Sequence, residues 1–470
     1  MSRLGCGLFA AALLYAPGVA VRPPGRALGR SRVRMGGGLV DWLRTSGATV
    51  EGVRESSDGL LALAADARAG DVLLSVPEKL QLSAATLRAN VMGSFLEGLP
   101  LSAGEHVPLA LALLHELFLA DSSLWAGWIA CLPAPSEGSL DVPLLWSEAE
   151  QAEFAASTTL PVAQLLAEMR ADYAALVGGP FAEAPDLFPP SVFSPQRYAW
   201  AHAVALSRAV RLDDELVLVA GAGDAARTLE PRLSNAGAER RVQGGLFSAK
   251  TSANVLVARE GATAGAPITL AVELSPAELL WGHGLLPAGR AGECELRLGV
   301  EPSDRLLSDK AEVLERAGLA TSQLWTLRAG PLDRTDLLKF MRVVSLQGMD
   351  SFILEAVFIN DVWDYHLAMP YSRVNEDAAC DAAIGACMAA LGRMTSDEAA
   401  DGQAAAAADG SRATRMAALR VGERAALRDT ARWLTQERAL NEGKEYYQAR
   451  RLRELNLDRP VSEDEVIPSY

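Results

Sequence analysis

The chain has 470 residues, of which 50% are apolar and 22% are charged, a composition that fits a folded globular protein and excludes a disordered one. Its formal net charge of −15 argues against a nucleic-acid partner, because such a partner requires a clustered cationic surface. The five cysteines are far apart and form no C-x-x-C pair, so the sequence predicts neither a metal site of the zinc type nor a disulfide framework.

Residues 1–38 are predicted to be a targeting leader and not part of the fold. Residues 1–21 contain an apolar run after Arg3 that is too short to span a bilayer comfortably. The next segment has five arginines, from Arg22 to Arg34, and no acidic residue, which is typical of a transit peptide. We therefore expect a plastid protein, with the secretory pathway or another organelle as the alternative. No later segment has 18 uncharged apolar residues, so no membrane span is expected.

The next part of the chain alternates between strand-like and helical patterns. Apolar runs bounded by Gly, Asp, Ser or Pro predict strands at residues 60–64, 72–76, 255–257 and 268–270. From about residue 84 to 206 the apolar spacing is helical instead, and residues 109–119 are apolar on all sides, which predicts a buried helix.

Beyond residue 305 the apolar spacing is helical almost throughout, as Ile384, Met388 and Leu391 show. Residues 397–410 are alanine-rich and of low complexity, and we expect them to form a loop. The predicted fold class is therefore α+β. A β-rich unit at residues 39–290 is split by a helical insert at about 84–206, and an all-helical unit follows at 305–460.

Short motifs in the first unit occur in a distinctive order. The insert contains a pattern of tryptophan and proline residues: Trp125, Trp128, Leu132-Pro133, Pro143 and Trp146. After it come Tyr198-Ala199-Trp200-Ala201, Ser207-Arg208, and Glu278-Leu279-Leu280 with Gly284. This order resembles the SET domain of the Rubisco large-subunit lysine methyltransferase family.

The second unit resembles the Rubisco-substrate-binding domain of the same family. Its matching positions are Asp309-Lys310, residues 338–342, Asn375-Glu376, Leu419-Arg420 and Glu423-Arg424. The resemblance implies a monomeric protein-lysine N-methyltransferase that uses S-adenosylmethionine and acts on the Rubisco large subunit or another plastid protein.

Site residues follow from the resemblance, motif by motif. Gly59 matches the second glycine of a G-x-G turn, and Arg208 matches an arginine that binds the cofactor carboxylate. Asn235 is the best match to the asparagine of the family's D-x-x-N-H segment, which implies a third cofactor contact. Ser207 is assigned to substrate binding, and His283 is the weak catalytic candidate, at the position of a family tyrosine.

The sequence departs from the family at most of the positions that carry chemistry. Ser57 replaces the first glycine of the turn, Ala236 replaces the histidine, and Ala271 replaces the first tyrosine. No tyrosine lies between Tyr198 and Tyr365. Loss of one preorganised donor costs about 10²–10³ in rate, so these changes predict little turnover.

Three interpretations of these departures remain open. The chain is a catalytically inactive scaffold whose C-terminal unit binds a protein partner, or it has a rewired site, or the translated sequence is wrong around residues 217–275. A metal hydrolase or Ser/His enzyme has little support, because the five histidines form no H-E-x-x-H motif and no G-x-S-x-G motif is present.

Overall fold

The structure is a computed structural model that describes residues 38–455, apart from 57–59, 91, 97–100, 102–103, 136–139, 157, 230, 244–250, 287–291 and 356–359. The predicted leader therefore lies outside the described residues, except for Gly38. In the part of the chain that is described, no helix is long and apolar enough to cross a membrane.

The strands occupy both ends of the first unit and the start of the second. They are β1 (Thr49–Val50), β2 (Val53–Glu55), β3 (Leu61–Leu63), β4 (Val72–Pro77), β5 (Gln81–Leu82), β6 (Ala209–Leu212), β7 (Glu215–Val219), β8 (Ala226–Thr228), β9 (Ala236–Gln243), β10 (Thr251–Ala258), β11 (Thr269–Ala271), β12 (Glu293–Gly299) and β13 (Ser322–Arg328). The predicted strands at 60–64, 72–76, 255–257 and 268–270 are confirmed as β3, β4, β10 and β11.

Helices fill the interval between β5 and β6 and dominate the C-terminal half. They are α1 (Leu39–Thr45), α2 (Ala84–Ala89), α3 (Gly93–Leu96), α4 (Val107–Leu119), α5 (Ala126–Cys131), α6 (Glu148–Ala155), α7 (Val162–Gly178), α8 (Pro180–Glu183), α9 (Pro195–Arg208), α10 (Pro276–His283), α11 (Leu307–Arg316), α12 (Thr335–Val344), α13 (Arg373–Arg393), α14 (Glu398–Ala407), α15 (Arg412–Ala439) and α16 (Tyr447–Glu454).

The largest sheet joins early and late strands of the first unit in the order β1-β4-β10-β9-β11-β8. β10 is antiparallel to both neighbours, with Leu256 opposite Leu74 of β4 and opposite Ala238 of β9. β11 runs parallel to β8 and β9. Four strands from the second half of the first unit, β8 to β11, are thus integral to this sheet.

Tryptophan side chains attach the helical insert to the rest of the first unit. The Trp125 Nε1 atom donates to the Leu80 carbonyl oxygen at 3.0 Å, beside β5. The Trp200 Nε1 atom, on α9, donates to the Pro133 carbonyl oxygen at 2.9 Å. Since both indoles are buried, each of these bonds satisfies a polar group that would otherwise be costly to bury.

Among its described residues, the C-terminal unit is helical except for one strand, which corrects the expectation of an all-helical unit. β13 lies inside it and pairs antiparallel with β12, with Trp325 opposite Leu296. Apolar and polar residues alternate along β12, so that Leu296 and Leu298 are buried while Arg297 is exposed. This period of two favours a half-buried strand over a helix.

Residues 397–410 do not form the expected loop, because helix α14 covers Glu398–Ala407. The Asp397 side chain accepts from the Ala400 amide at 2.7 Å and caps its first turn, and the alanines that follow favour a helix intrinsically. Asp401 is buried against α15, where it accepts from Arg420 Nε at 2.8 Å and from Arg424 Nη1 at 2.6 Å. These ion pairs order a segment that composition alone presents as low complexity.

Helix α15 also contacts the insert of the first unit. Arg412 Nε lies 2.6 Å from an Asp141 carboxylate oxygen. The buried Glu423 carboxylate accepts from the Thr158 hydroxyl at 3.0 Å and from the Thr159 amide at 2.9 Å. Polar contacts from this long helix therefore help to join the two units.

Candidate functional site

The predicted pair Ser207 and Arg208 ends helix α9, whose N-terminus is capped by the Ser194 side chain. The Ser207 hydroxyl donates back to the Ala203 carbonyl oxygen at 2.7 Å, so its hydrogen is used inside the helix. The Arg208 Nε atom lies 3.2 Å from an Asp224 carboxylate oxygen, and its Nη1 atom donates to the Ser207 hydroxyl at 3.3 Å. Arg208 is thus tied to a carboxylate of the protein itself.

Asp224 belongs to the glycine-rich loop of residues 221–225, which follows β7 and lies over the end of α9. A Cβ at Gly223 would be 2.6 Å from the Arg208 carbonyl oxygen, so only glycine permits this approach. Gly221 has a φ of +88° and donates its amide to the Asp224 carboxylate at 3.0 Å. The Leu61 amide donates to the Asp224 carbonyl oxygen at 3.4 Å. The loop therefore links Arg208 to strand β3.

A second arginine holds the same loop from its other side. Arg227 donates to the carbonyl oxygens of Ala222 at 3.2 Å, Ala225 at 3.0 Å and Gly223 at 3.5 Å. Burial lowers the pKa of Arg227 to about 10, although the nearby Asp224 opposes this shift. Arg227 remains charged at neutral pH and fixes the loop through its backbone.

Asn235 is held between strands β9 and β11. Its Nδ2 atom donates to the Pro267 carbonyl oxygen at 2.8 Å, and its Oδ1 atom accepts from the Thr269 amide at 2.9 Å. Both ends of the amide therefore join the start of β9 to β11. Among the described hydrogen bonds and ion pairs, none connects Asn235 to Arg208. The side chain that contacts Arg208 is Asp224, and the cofactor contact expected of Asn235 stays a prediction.

The Gly59 position lies outside the described residues, as does Ser57 of the same turn. Ala271, which the resemblance places at the first tyrosine, ends β11 opposite Thr228 of β8. Its methyl side chain supplies no hydroxyl group to the site.

His283 is the last residue of helix α10, which the Ser275 and Glu278 side chains cap reciprocally. The pKa of His283 is lowered to about 3, first by burial and then by the positive charges of Arg227 and Arg208. The imidazole is therefore neutral at physiological pH. It can donate or accept a hydrogen bond, but it is a weak base.

His283 also lines a cavity of about 610 Å³ between α7, α9, α10 and β12. Two further histidines line it, His106 and His202, and burial lowers the pKa of each to about 4. The His202 Nε2 atom is buried without a hydrogen-bond partner. The apolar lining includes Leu144, Leu165, Met169, Leu206, Trp281 and Leu296. Apolar walls with neutral imidazoles suit an aliphatic side chain that ends in a polar group.

Asp224 and Arg227 are the site residues that the sequence analysis missed. The available signal was the run Gly221-Ala222-Gly223-Asp224, which follows an apolar strand directly, as a tight turn would. Within the described residues, no group of three or more His, Cys, Asp or Glu side chains is placed to hold a metal ion.

Comparison with known proteins identifies relatives of both units. The family model described as Rubisco LSMT substrate-binding matches residues 301–427. The chain is 27% identical to the chloroplastic [fructose-bisphosphate aldolase]-lysine N-methyltransferase of Arabidopsis thaliana, over 88% of this chain and 86% of that protein. It is 28% identical to the chloroplastic Rubisco large subunit N-methyltransferase of Pisum sativum, over 85% of this chain and 80% of that protein.

A solved structure matches the fold over nearly the same extent. It is the SET domain of LSMT bound to lysine and AdoHcy, with a TM-score of 0.73, 26% identity, and coverage of 90% of this chain and 96% of that chain. The strand order, the helical insert and the C-terminal helices therefore form one known architecture. The chain is therefore similar in fold to the SET domain of LSMT, and its C-terminal unit contains a match to the Rubisco LSMT substrate-binding family.

Proposed function

We propose that the chain binds S-adenosylmethionine and a plastid protein, and that its lysine methyltransferase activity is much lower than that of its relatives. The observation that carries the proposal is the environment of His283. A neutral, weakly basic imidazole lines the cavity where the family places a tyrosine hydroxyl.

The residues present fit the cofactor in part. Arg208 has the position and charge to bind the carboxylate of S-adenosylmethionine, and Ser207 lies beside it. However, the Arg208 guanidinium already contacts Asp224. When bound, the cofactor supplies an electrophilic methyl group, and the chain's own residues supply its orientation and the exclusion of water.

Methyl transfer also requires an acceptor amine that is neutral and aligned. A free lysine has a pKa of about 10.4, so it must lose a proton before it attacks. His283 is poorly suited to remove that proton, since Brønsted behaviour favours a base whose pKa is near the working pH. The absence of any tyrosine from residue 199 to 364 removes the other tyrosine hydroxyls that the family would use. We therefore expect a rate at least about 10²-fold below that of a complete site.

The protein partner is proposed from the relatives and the C-terminal unit. Both chloroplastic relatives act on plastid proteins, and residues 301–427 match the substrate-binding family. We assign residues 39–290 and 305–460 to a SET unit and a partner-binding unit, and residues 1–38 to a plastid leader. Rubisco or another plastid protein is the proposed partner.

A labelling experiment tests the reduced activity. Wild type, His283→Tyr and His283→Phe are incubated with methyl-labelled S-adenosylmethionine and stromal extract. The two variants differ only by a hydroxyl group, and the adjoining cavity offers room for either ring. We expect labelling near background for wild type and His283→Phe, and at least about tenfold more for His283→Tyr.

A second candidate function is a rewired, active methyltransferase in which His283 replaces the tyrosine. The observation in its favour is that the imidazole is neutral and lines the cavity. Strong labelling by wild type that His283→Phe abolishes would support this candidate and refute the proposal of reduced activity.

A further inference from the structure

The polar part of the cavity between α7, α9, α10 and β12 includes three histidines from three separate segments. His106 directly precedes α4, His202 lies in the middle of α9, and His283 ends α10. His202 is the most buried of them, with 4% of its surface exposed. Leucine, methionine and tryptophan side chains also line the cavity. The cavity therefore combines an apolar wall with a small cluster of imidazoles.

His202 lines this cavity and carries an unpaired polar atom. Its Nε2 atom is buried without a hydrogen-bond partner among the described residues. The imidazole packs edge-on against the ring of Tyr198, with 4.8 Å between the ring centroids, and the buried Tyr198 helps to fix its orientation. Because buried polar atoms are nearly always hydrogen-bonded in folded proteins, this nitrogen points to a ligand that supplies the partner.

The environment of the imidazoles opposes charge. Burial lowers the pKa of His106 and His202 to about 4, and the pKa of His283 to about 3. Near His283, the charges of Arg208 and Arg227 add to this effect. Burial penalises a ligand ion in the same way as a resident one, so a carboxylate or an ammonium would lose hydration here without full compensation. The two arginines would oppose an ammonium as well.

The charged side chains of the lining do not reverse this preference. Glu278 is engaged in the cap of α10, where its carboxylate accepts from the Ser275 amide at 2.8 Å and from the Ser275 hydroxyl at 3.1 Å. Burial raises the pKa of Glu295, which favours its uncharged form. Arg297 and Arg393 are exposed to solvent. Two acidic and two basic side chains therefore leave the lining without a net formal charge that would attract an ion.

We infer that the cavity binds an aliphatic chain that ends in an uncharged group able both to donate and to accept hydrogen bonds, such as a primary amide. A neutral imidazole has one donor and one acceptor nitrogen, so it complements either end of an amide. This inference rests on the proposed function, because the same cavity is where a side chain of the plastid partner would enter. It gives that function a substrate class, in which a glutamine-like side chain is accepted and a protonated lysine is rejected.

Three probes of equal chain length separate the effects of charge: octanamide, octanoate and octylammonium. At about pH 7.5 the amide is neutral and the other two are ions. The histidine ring protons of the wild-type chain, observed by NMR, report both binding and its place, with the His202 signals assigned by their loss in His202→Phe. We expect octanamide to bind at least about tenfold tighter than octanoate, and octylammonium to bind most weakly. Binding of either ion as tightly as octanamide, or no binding of octanamide, would overturn the inference.

Variants at His202 test its role in recognition, with binding followed through the His283 signals. His202→Phe keeps a ring of similar size without either nitrogen, and octanamide should bind about fivefold more weakly. His202→Gln restores a donor and an acceptor, and its Kd should stay within about twofold of wild type. The matched control is His366→Phe, which alters a buried histidine outside the cavity lining and should leave the Kd unchanged. An unchanged Kd in folded His202→Phe would also overturn the inference.

The outcomes separate the inference from the proposed function, which the labelling experiment tests. Preferential binding of octylammonium together with weak labelling would overturn the inference and leave the proposed function intact. Preferential binding of octanamide together with strong labelling by wild type would refute the reduced activity, while the binding preference of the cavity would stand. Circular dichroism checks that the variants are folded, and the wild-type probe series decides the matter if they are not.

Discussion

At the scale of single residues, the surroundings of Arg208 and His283 come from contacts that the sequence motifs do not show. Arg208 is retained, but the structure gives it a carboxylate partner, Asp224, from the chain itself. His283 occupies the position of a hydroxyl donor and is neutral because burial and two arginines oppose its protonation. Neither the partner of Arg208 nor the neutral state of His283 follows from residue identity alone, since both depend on which groups lie within a few ångströms of the side chain.

The first prediction concerns the titration of His283. Its pKa is lowered to about 3, so the imidazole should be neutral at every pH above about 4. The NMR signal of its ring protons, assigned by its loss in His283→Gln, should not shift between pH 5 and 8. The urea-unfolded chain is the control, because an exposed histidine titrates near pH 6.5. An inflection near pH 6.5 in the chemical shift of these protons in the folded protein would contradict a buried site beside two arginines.

At the scale of elements, α14 shows how tertiary contacts order a segment of low complexity. Its alanines favour a helix but offer few apolar side chains with which to anchor it. Asp401 supplies the anchor, because its carboxylate lies between the Arg420 and Arg424 guanidinium groups of α15. All three side chains are less than a tenth exposed, so the free-energy cost of burying each charge is offset by the opposite charge beside it.

The second prediction follows from that ion-pair cluster. Asp401→Ala leaves two buried guanidinium groups without this carboxylate, and we expect it to lower the free energy of unfolding by about 3–5 kcal/mol. Chemical denaturation measures the loss, and limited proteolysis should show α14 becoming cleavable. The matched control is Glu398→Ala on the same helix, which removes an exposed pair to Arg428 and should cost far less. Equal losses in the two variants would contradict the role of Asp401.

At the scale of the whole molecule, helix α15 connects the two units through Glu423. This carboxyl group is fully buried and accepts from Thr158 and Thr159 of the insert. Burial raises the pKa of Glu423 from 4.5 to about 7, although the threonine hydrogen bonds oppose the rise. The contact between the units therefore contains a group that titrates near neutral pH.

The third prediction is a pH dependence of stability that Glu423 controls. Because the pKa of Glu423 is higher in the folded state, the contribution of this group to stability is fully present below pH 4.5. That contribution is lost as the pH rises through about 7. Glu423→Gln cannot ionise, so its free energy of unfolding should exceed that of wild type by a margin that grows with pH. We expect the margin to reach on the order of 2–3 kcal/mol. Urea unfolding from pH 4.5 to 8 measures it, and two parallel curves would show that Glu423 does not titrate in this range.

The sequence by itself determined the fold class, the resemblance to a family and the main helices and strands. Those features depend on the local spacing of apolar residues and on the order of the motifs. Both can be identified in the sequence without any information on tertiary contacts. It also determined which chemical groups are absent, since a missing tyrosine is a fact of composition.

Only the tertiary structure decided which residues meet at the site. Asp224 is beside Arg208 because a glycine-rich loop folds over the end of α9, whereas Asn235 is engaged in a β9–β11 contact. The strand β13 and the helix α14 also depend on distant partners, namely β12 and the arginines of α15. Ion pairs and pKa values depend on distances between residues far apart in the chain, and a single sequence does not contain those distances.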